Sequence, residues 1–556
     1  MTARQPDQPT AARSPEGALT RADRRAAAQR NPWLTLVAVA LGVMMVGLDG
    51  TVVGVANPTI AADLDASLAG LQWVTNGYLL SLAVLLILGG KLGDRFGRKR
   101  IFVIGIVGFA ITSLGCALSS SIGMLIAFRV LQGVAGALLM PNTLALIRAA
   151  FPPAELNRAV GIWGGSSALA VASGPIIGGL LVEHVSWESI FLLNLPLGLL
   201  ATVVAIAWVR ESRDDEHTGA FDLPGVALLS GGLFLVVWAL IKAQDQGWGS
   251  AYVLGFAAAG LVVLGLFVLR EHRAADPLLP LDIFRVRSVW SGTVLVVVGF
   301  FALFGVLFFI GLYLQNTNGY SPVETGVRML PLTAVFVISS PLGGYLTERY
   351  GPRVPLVLGM LLVAIAFVGL ARLEVDTGYG GQWPYFLIIG IAFGLVIVST
   401  TQAIVGNVPV ERGGVAGGLQ STAQQLGGVL GTAVFGSIIA SSVGSSLADD
   451  LAASGTPGPV AAVAARAQEL VAQGVSPVDP GKAPAELQAA IAQAAGGGGR
   501  TPDQVADAVT SGAYASFIDG LHSAMYVGVG LAVVAALLGL LVGRGRTLEA
   551  DEVAGA

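Results

Sequence analysis

Residues 89–98 read GGKLGDRFGR, and residues 343–353 read GGYLTERYGPR, 254 positions further on. A second pair reads GGSSALAVASGPIIG at 164–178 and GGLQSTAQQLGGVLG at 417–431, offset by 253. Two separate matches at nearly one offset mark an internal duplication. Each copy of the first stretch closes a long apolar run. The duplicated unit is therefore a set of apolar segments joined by short turns.

Composition says what those segments are. Only 12% of the 556 residues are charged, against about 25% in a soluble domain. The hydrophobic share is 54%, with 75 Gly, and mean hydropathy is +0.75. This profile excludes a disordered chain and a disulfide scaffold. A formal charge of −4 offers no basic field to nucleic acid. The single cysteine, Cys116, has no internal partner, and the four histidines are far apart in sequence, so no metal site is expected. The fold class is all-α, a polytopic helical membrane protein.

A membrane-spanning helix needs about 20 mostly apolar residues. On that basis the spans fall at 33–57, 70–90, 101–119, 121–148, 159–182, 189–209, 224–242, 251–269, 288–314, 325–346, 354–373, 384–405, 413–440 and 517–543. The positive-inside rule orients them. With both termini cytoplasmic, 24 of the 31 Lys and Arg lie on the inner side. The organisation expected is a disordered cytoplasmic tail (1–31), a six-span bundle (32–210), and two linker spans with their loops (211–287). A second six-span bundle (288–543) and a short cytoplasmic tail (544–556) follow. The second bundle carries an Ala-rich extracellular loop at 441–516, readable either as a small helical hairpin or as a linker. Parallel six-span halves with a path between them are a transporter arrangement. The expected location is a bacterial inner membrane, and the expected state a monomer.

Four groups of residues carry the chemistry. In GKLGDRFGRKR, Gly90 and Gly97 permit a tight turn between two helices, while Asp94 can pair with Arg98. In LDGTVVGVANP, Asp49 is an ionisable group inside a span, which marks a functional site. It lies roughly 12 Å from the outer end of span 1, and Arg129 lies roughly 12 Å from the outer end of span 4. The two are expected to meet, directly or through Gln132 or water. Burial favours the neutral carboxyl and a neighbouring guanidinium favours the charged one, so such a group can change protonation when access changes sides. A static ion pair is the plainer alternative. The position 254 residues after Asp49 is Leu303, which confines this machinery to the first half. In span 5, the small residues Gly161, Gly165, Gly174 and Gly178 share a face suited to close helix approach, and Pro175 favours a bend. For substrate the candidates are Trp73, Asn76 and Tyr78 in span 2, Phe301, Phe304 and Phe308 in span 9, and Gln424 and Gln425 in span 13. Lipid contact or core packing is the other reading of the aromatic groups.

The 90–100 loop, with its degenerate copy, resembles the signature loop of the major facilitator superfamily. That resemblance implies a latch formed by Gly90, Asp94, Gly97 and Arg98; in the second copy Pro352 stands where the arginine would be. L-D-x-T-V-V around Asp49 and R-x-x-Q-G at Arg129 are similar to motifs of the fourteen-span drug:proton antiporters of the EmrB/QacA type. It implies proton coupling by Asp49 and Arg129. Gly174-Pro175-x-x-Gly178-Gly179 resembles the antiporter motif of exporters. WESIFLLNLPLG (187–198), FDLPGVALL (221–229) and AYASFIDGLHSAMY (513–526) resemble stretches of the same subfamily. The implied activity is export of small amphipathic drugs or antibiotics, driven by the proton gradient without a bound cofactor. Export or flipping of an endogenous lipid, glycolipid or metabolite is the alternative. The chain has no G-x-x-x-x-G-K-[ST] loop, so nucleotide hydrolysis is not the expected energy source. No cluster of His, acids or a nucleophile suggests an enzyme.

Overall fold

The structure is a computed structural model. It describes residues 31–213, 222–274, 277–408, 413–478, 485–498 and 501–543. Both expected terminal tails fall almost wholly outside the described residues. Fourteen helices are long and apolar enough to cross a membrane, and the described residues contain no strand. The first six are α1 (Pro32–Leu64), α2 (Leu68–Phe96), α3 (Arg98–Ala117), α4 (Ile122–Ala150), α5 (Pro153–His184) and α6 (Ser189–Trp208). A pair follows, α7 (Leu223–Gln246) and α8 (Ala251–Arg273). The last six are α9 (Arg287–Thr317), α10 (Pro322–Tyr350), α11 (Arg353–Leu370), α12 (Tyr379–Asn407), α13 (Gly413–Ala453) and α14 (Pro502–Gly539).

Polar caps start many of these helices. Asn31, Ser67, Ser121 and Ser250 accept backbone N–H bonds at the starts of α1, α2, α4 and α8. Ser321 with Glu324 and Thr501 with Gln504 form capping boxes at α10 and α14, which satisfy donors that a helix start otherwise leaves unpaired.

The duplication is visible in how the helices cross. No room for a Cβ exists at Gly89, where α2 meets the Ala137 carbonyl of α4; Gly343 of α10 meets the Gly394 carbonyl of α12 in the same way. Gly133 fits against the Tyr78 carbonyl, and Gly390 against that of Leu332. Gly115 lies under the Phe128 ring, and Gly369 under the Tyr385 ring. Without a solvent-driven hydrophobic force inside a bilayer, close backbone approach of this kind is a main source of helix cohesion. Both turns that follow a Gly-Gly pair also end in a left-handed glycine: Gly97 has φ +106° and Gly351 φ +75°.

The two six-helix bundles meet along two seams. At one, α2 packs on α13, and α7 lies across both. Trp73 of α2 stacks against Phe234 and Trp238 of α7 with ring centroids 5.7 and 5.8 Å apart. At the other, α5 meets α10. We call the end bearing the 89–100 turn the basic end, and the opposite one the cap end.

The helices α13 and α14 run well past a bilayer's thickness at the cap end. Val443, Leu447 and Leu451, spaced by four, are buried together with Val505, Val509 and Ala513. That amphipathic stripe makes the start and end of the 441–516 segment continuous with the spans. Between them lie the helices Gly458–Ala464, Gln468–Val471 and Ala485–Gly498. Residues 471–477 are buried. Gln473 donates to the Ala66 carbonyl of the first half (3.3 Å) and accepts through its own carbonyl from Asn316 of the second (2.8 Å). The described part of this segment is thus folded over the cap end and touches both halves.

In the second bundle, Phe435 is fully buried, with Phe301 at 5.0 Å and Phe367 at 6.0 Å between ring centroids. Removing such a ring leaves a cavity that costs about 3–5 kcal/mol. Phe435→Ala should lower the melting temperature of the detergent-solubilised protein by several degrees, while Phe304→Ala, at a half-buried site, should shift it much less.

Candidate functional site

Charge is rare inside the first bundle, and where it occurs it is paired. Asp49 of α1 and Arg129 of α4 are each 1% exposed, and they form a direct ion pair through Asp49 Oδ2 and Arg129 Nη1. Burying two ions is costly unless their remaining donors and acceptors are also satisfied, and here they are. Gln132 Nε2 donates to Asp49 Oδ1 (2.9 Å), and Gln132 Oε1 accepts from Arg129 (2.7 Å). Asn194 Nδ2 of α6 donates to Asp49 Oδ1 at 3.2 Å. Ser113 Oγ of α3 accepts from Gln132 (2.6 Å) and from Asn194 (3.1 Å). Side chains from four helices therefore form one network around this carboxylate, with α4 and α6 bonding it directly.

A fifth helix holds the arginine. Arg129 Nε donates to the Val74 carbonyl of α2 (3.0 Å), and the Tyr78 ring lies 4.2 Å from the guanidinium carbon. Phe191 of α6 covers it at 5.7 Å. The hydroxyl of Tyr78 donates to the Val46 carbonyl of α1 (3.3 Å). Arg129 thus keeps a carbonyl, an amide oxygen and two aromatic faces whatever happens to Asp49. A cation–π contact in a desolvated site is worth about 2 kcal/mol.

The site is connected to the second half through α2. Gln72 Nε2 donates to the Thr432 carbonyl of α13 (2.9 Å), and Thr432 Oγ1 donates to Asn76 Oδ1 (2.6 Å). These bonds bracket Val74, the residue that holds Arg129.

The exporter-like motif lies beside the same carboxylate. Gly174 leaves room for Thr51 and Gly178 for Val52, so α5 presses on α1 one turn from Asp49. Gly179 packs on the Pro322 carbonyl of α10, and the Pro175 carbonyl receives Gly326. The motif therefore holds α1 on one face and the opposite bundle on another. This contact is confined to the cap-end half. Toward the basic end, Gly161, Gly164 and Gly165 of α5 have no atom near enough to touch an added Cβ. The bundles are closed at the cap end, and they stand apart along this seam at the basic end.

The turn residues Asp94 and Arg98 form an ion pair of 2.8 Å within the turn itself. Gly90 lies on Pro141, and Gly97 leaves space for the Glu211 carboxylate. Glu211 accepts from the backbone N–H groups of Lys99 (2.9 Å) and Arg100 (3.2 Å), so it caps α3.

The substrate candidates separate. Tyr78 sits on Arg129, and Asn76 on Thr432. Trp73 faces α7. Phe301 is in the core of the second bundle, and Phe308 is buried against Phe309 at 4.8 Å. Phe304 is half-buried and touches the cores of both bundles. Gln424 and Gln425 are half-buried, within one turn of Gly428, whose surface meets Leu79 and Phe304. Ser113, Asn194 and Glu211 were not singled out from the sequence. Asn194 could have been, as a lone amide in the apolar run FLLNLPLG.

Two bundles of six membrane-spanning helices that meet along two seams, with a charged network buried in one of them, define a membrane transporter rather than an enzyme. The chain matches the family model described as Major Facilitator Superfamily over residues 39–432, and it belongs to that family. It is 46% identical to the "Tetracenomycin C resistance and export protein" of Streptomyces glaucescens, over 94% of this chain and 93% of that protein. It is 35% identical to the "Multidrug efflux pump LfrA" of Mycolicibacterium smegmatis, over 73% of this chain and 80% of that one. Among solved structures, a bacterial homolog of the human lysosomal transporter Spinster shares the fold. The TM-score is 0.57 at 20% identity, covering 93% of this chain and 97% of that one.

Asn194→Ala removes a donor from the Asp49 carboxylate. Hydrogen bonds to charged groups are worth about 1.5–3 kcal/mol. Transport by this variant should fall about tenfold with unchanged membrane expression, measured by substrate flux against an immunoblot.

Proposed function

We propose that the chain is a proton-coupled exporter of small amphipathic molecules, moving them from the basic end, facing the cytoplasm, to the cap end. The observation that carries this reading is the Asp49–Arg129 pair, in which the arginine is already held by further partners. A proton arriving on Asp49 neutralises the carboxylate and ends its ion pair. Arg129 stays in place on Val74, Gln132 and Tyr78. The loss of attraction between α1 and α4 reaches α5 through Thr51 and Val52, and it reaches α13 through α2. α5 and α13 are the helices that form the seams where the bundles meet, so the protonation state of one residue can bias which end is closed.

Export is supported by the Gly174–Gly179 motif at the cap-end seam, which keeps the outer side shut while the inner side is open to cargo. It is supported as well by the two relatives, one named for export and the other for multidrug efflux. The expected path wall is apolar, with Phe304, Gln424 and Gln425 as its polarisable and polar handles. A surface of that kind suits neutral, zwitterionic or monocationic aromatic molecules, antibiotics among them. The expected location is the bacterial inner membrane, with both termini cytoplasmic. Twenty-four of 31 basic residues fall on that side, and Lys91, Arg98, Lys99 and Arg100 crowd one turn.

Asp49→Asn keeps the hydrogen-bonding shape but cannot cycle a proton. Energised inverted vesicles carrying it should show no uphill drug accumulation, while downhill substrate exchange persists. Full uphill transport by this variant would refute proton coupling through Asp49.

A further inference from the structure

The motif FDLPG at 221–225 has no part in the site just described. It begins α7 at the basic end, and its geometry is specific. Asp222 is the cap of α7: its Oδ1 accepts from the Gly225 N–H at 2.9 Å. The same oxygen accepts from Arg270 of α8, at 3.2 Å from Nε and 3.1 Å from Nη2. The next residue of α8, Glu271, turns the other way. Its Oε2 accepts from the Leu279 N–H at 2.7 Å. Both carboxyls are buried, Asp222 at 5% and Glu271 at 3% exposure.

Each carboxyl has one oxygen left over. Asp222 Oδ2 and Glu271 Oε1 are buried and have no donor among the described residues. Both approach Gly225, one 2.5 Å and the other 2.6 Å from where a Cβ would sit. The two side chains are within hydrogen-bonding reach of each other. This explains the glycine of the motif: any larger residue would fill the space the two oxygens share. Two anionic oxygens facing each other in a buried site, without a donor between them, repel strongly; one proton between them turns the contact into a short charge-assisted bond.

We propose that Asp222 and Glu271 form a proton-binding pair, separate from Asp49, that senses pH at the basic end and sets the position of α2. Among the described residues, the charged groups that act on the pair are Arg270 on α8 and Lys91 on α2. Arg270 is already bonded to Asp222, and Lys91 Nζ donates to the Pro277 carbonyl at 3.0 Å. Burial raises the Asp222 carboxyl, but bonds from the Gly225 amide, Arg270 and Glu271 outweigh it and hold it below the usual carboxylate range. Asp222 is therefore the member that keeps its charge. The base of the linker rests on α2 through Val226, Phe267 and Leu278, which pack against Leu85, Ile87 and Leu88. Those three residues lie within a few positions of the 89–100 turn. When the proton leaves to water, two carboxylates face each other, Glu271 is driven from Leu279, and the linker loosens from α2. Transport slows as the pH at the basic end rises.

The test uses the full chain, purified for infrared spectroscopy and reconstituted into liposomes. The spectroscopic arm is independent of the proton-exchange reading; the transport arm rests on it. In the Asp49→Asn background, which removes the other buried carboxyl, a protonated-carboxyl band should titrate away at high pH, and Asp49→Asn/Glu271→Gln should lack it. In liposomes with the cap-side pH fixed, raising the basic-side pH should cut wild-type substrate counterflow at least threefold. Glu271→Gln, whose amide donates permanently to Asp222, should stay flat. Asp222→Asn, which keeps a capping oxygen and donates from Nδ2, should be flat as well, and it serves if Glu271→Gln fails to fold. A band that persists in Asp49→Asn/Glu271→Gln, or glutamine and asparagine variants that keep the wild-type pH fall, would overturn the proposal. Loss of uphill transport in Asp49→Asn bears only on the proton-exchange reading and leaves this one standing.

Discussion

A guanidinium in the middle of a helical bundle dictates what surrounds it. Arg129 cannot be deprotonated at any relevant pH, and it is 1% exposed. Every one of its neighbours is there to compensate that charge: the carboxylate of Asp49, the amide oxygen of Gln132, the Val74 carbonyl and the face of Tyr78. Removing one member of a buried pair typically costs about 3–5 kcal/mol. Asp49 is only one of several partners, and on the proposed reading the arginine acts as a fixed post while the carboxylate is the group whose charge varies. The pair joins α1 to α4, and α1 carries the surface that α5 packs on, so the seam between the bundles inherits the state of the pair.

The duplication shows which part of this design is general and which is particular. Glycines at helix crossings recur in both halves: Gly89 with Gly343, Gly105 with Gly359, Gly115 with Gly369, and Gly133 with Gly390. The crossings set by Gly133 and Gly390 put Phe386 and Ile389 in the places of Arg129 and Gln132. Leu303 and Phe367 stand for Asp49 and Ser113, at the 254-residue offset. All four substitutes are buried and apolar. The second bundle is therefore the same scaffold with the charge machinery replaced by hydrocarbon and rings. On the proposed reading, a proton taken up in one half acts on cargo through the seams, because the described residues of the other half offer only Leu303, Phe367, Phe386 and Ile389 at the matching positions.

Much of this was legible in the sequence because membranes impose strong rules. Spans are long and apolar, and a lone Asp or Arg inside one stands out against that background. Equal depths in antiparallel helices were enough to bring Asp49 and Arg129 together, and Gln132 followed as the residue one turn from Arg129. Ser113 and Asn194 escaped notice because small hydroxyls and single amides are common in spans, and only their convergence on one carboxylate gives them meaning. Tyr78 and Asn76 were read as candidates for cargo. The structure gives Tyr78 to the arginine and Asn76 to Thr432, since side chains on α2 alternate between its own bundle and the seam. The extent of α13 and α14 was hidden for a related reason. Beyond residue 440 the chain becomes polar on one face, so hydropathy falls, yet Val443, Leu447 and Leu451 continue the helix.

The two seams are not equivalent, and the linker helices explain why. At the α2–α13 seam, α7 lies across both helices with Phe234 and Trp238 against Trp73, which covers that seam from the side. At the α5–α10 seam no further helix intervenes, and the glycines of α5 toward the basic end face open space. The extra pair of spans thus covers one seam of a two-fold scaffold and leaves the other uncovered. It also keeps α2, the helix that holds Arg129, packed in hydrocarbon on the flank away from the open seam.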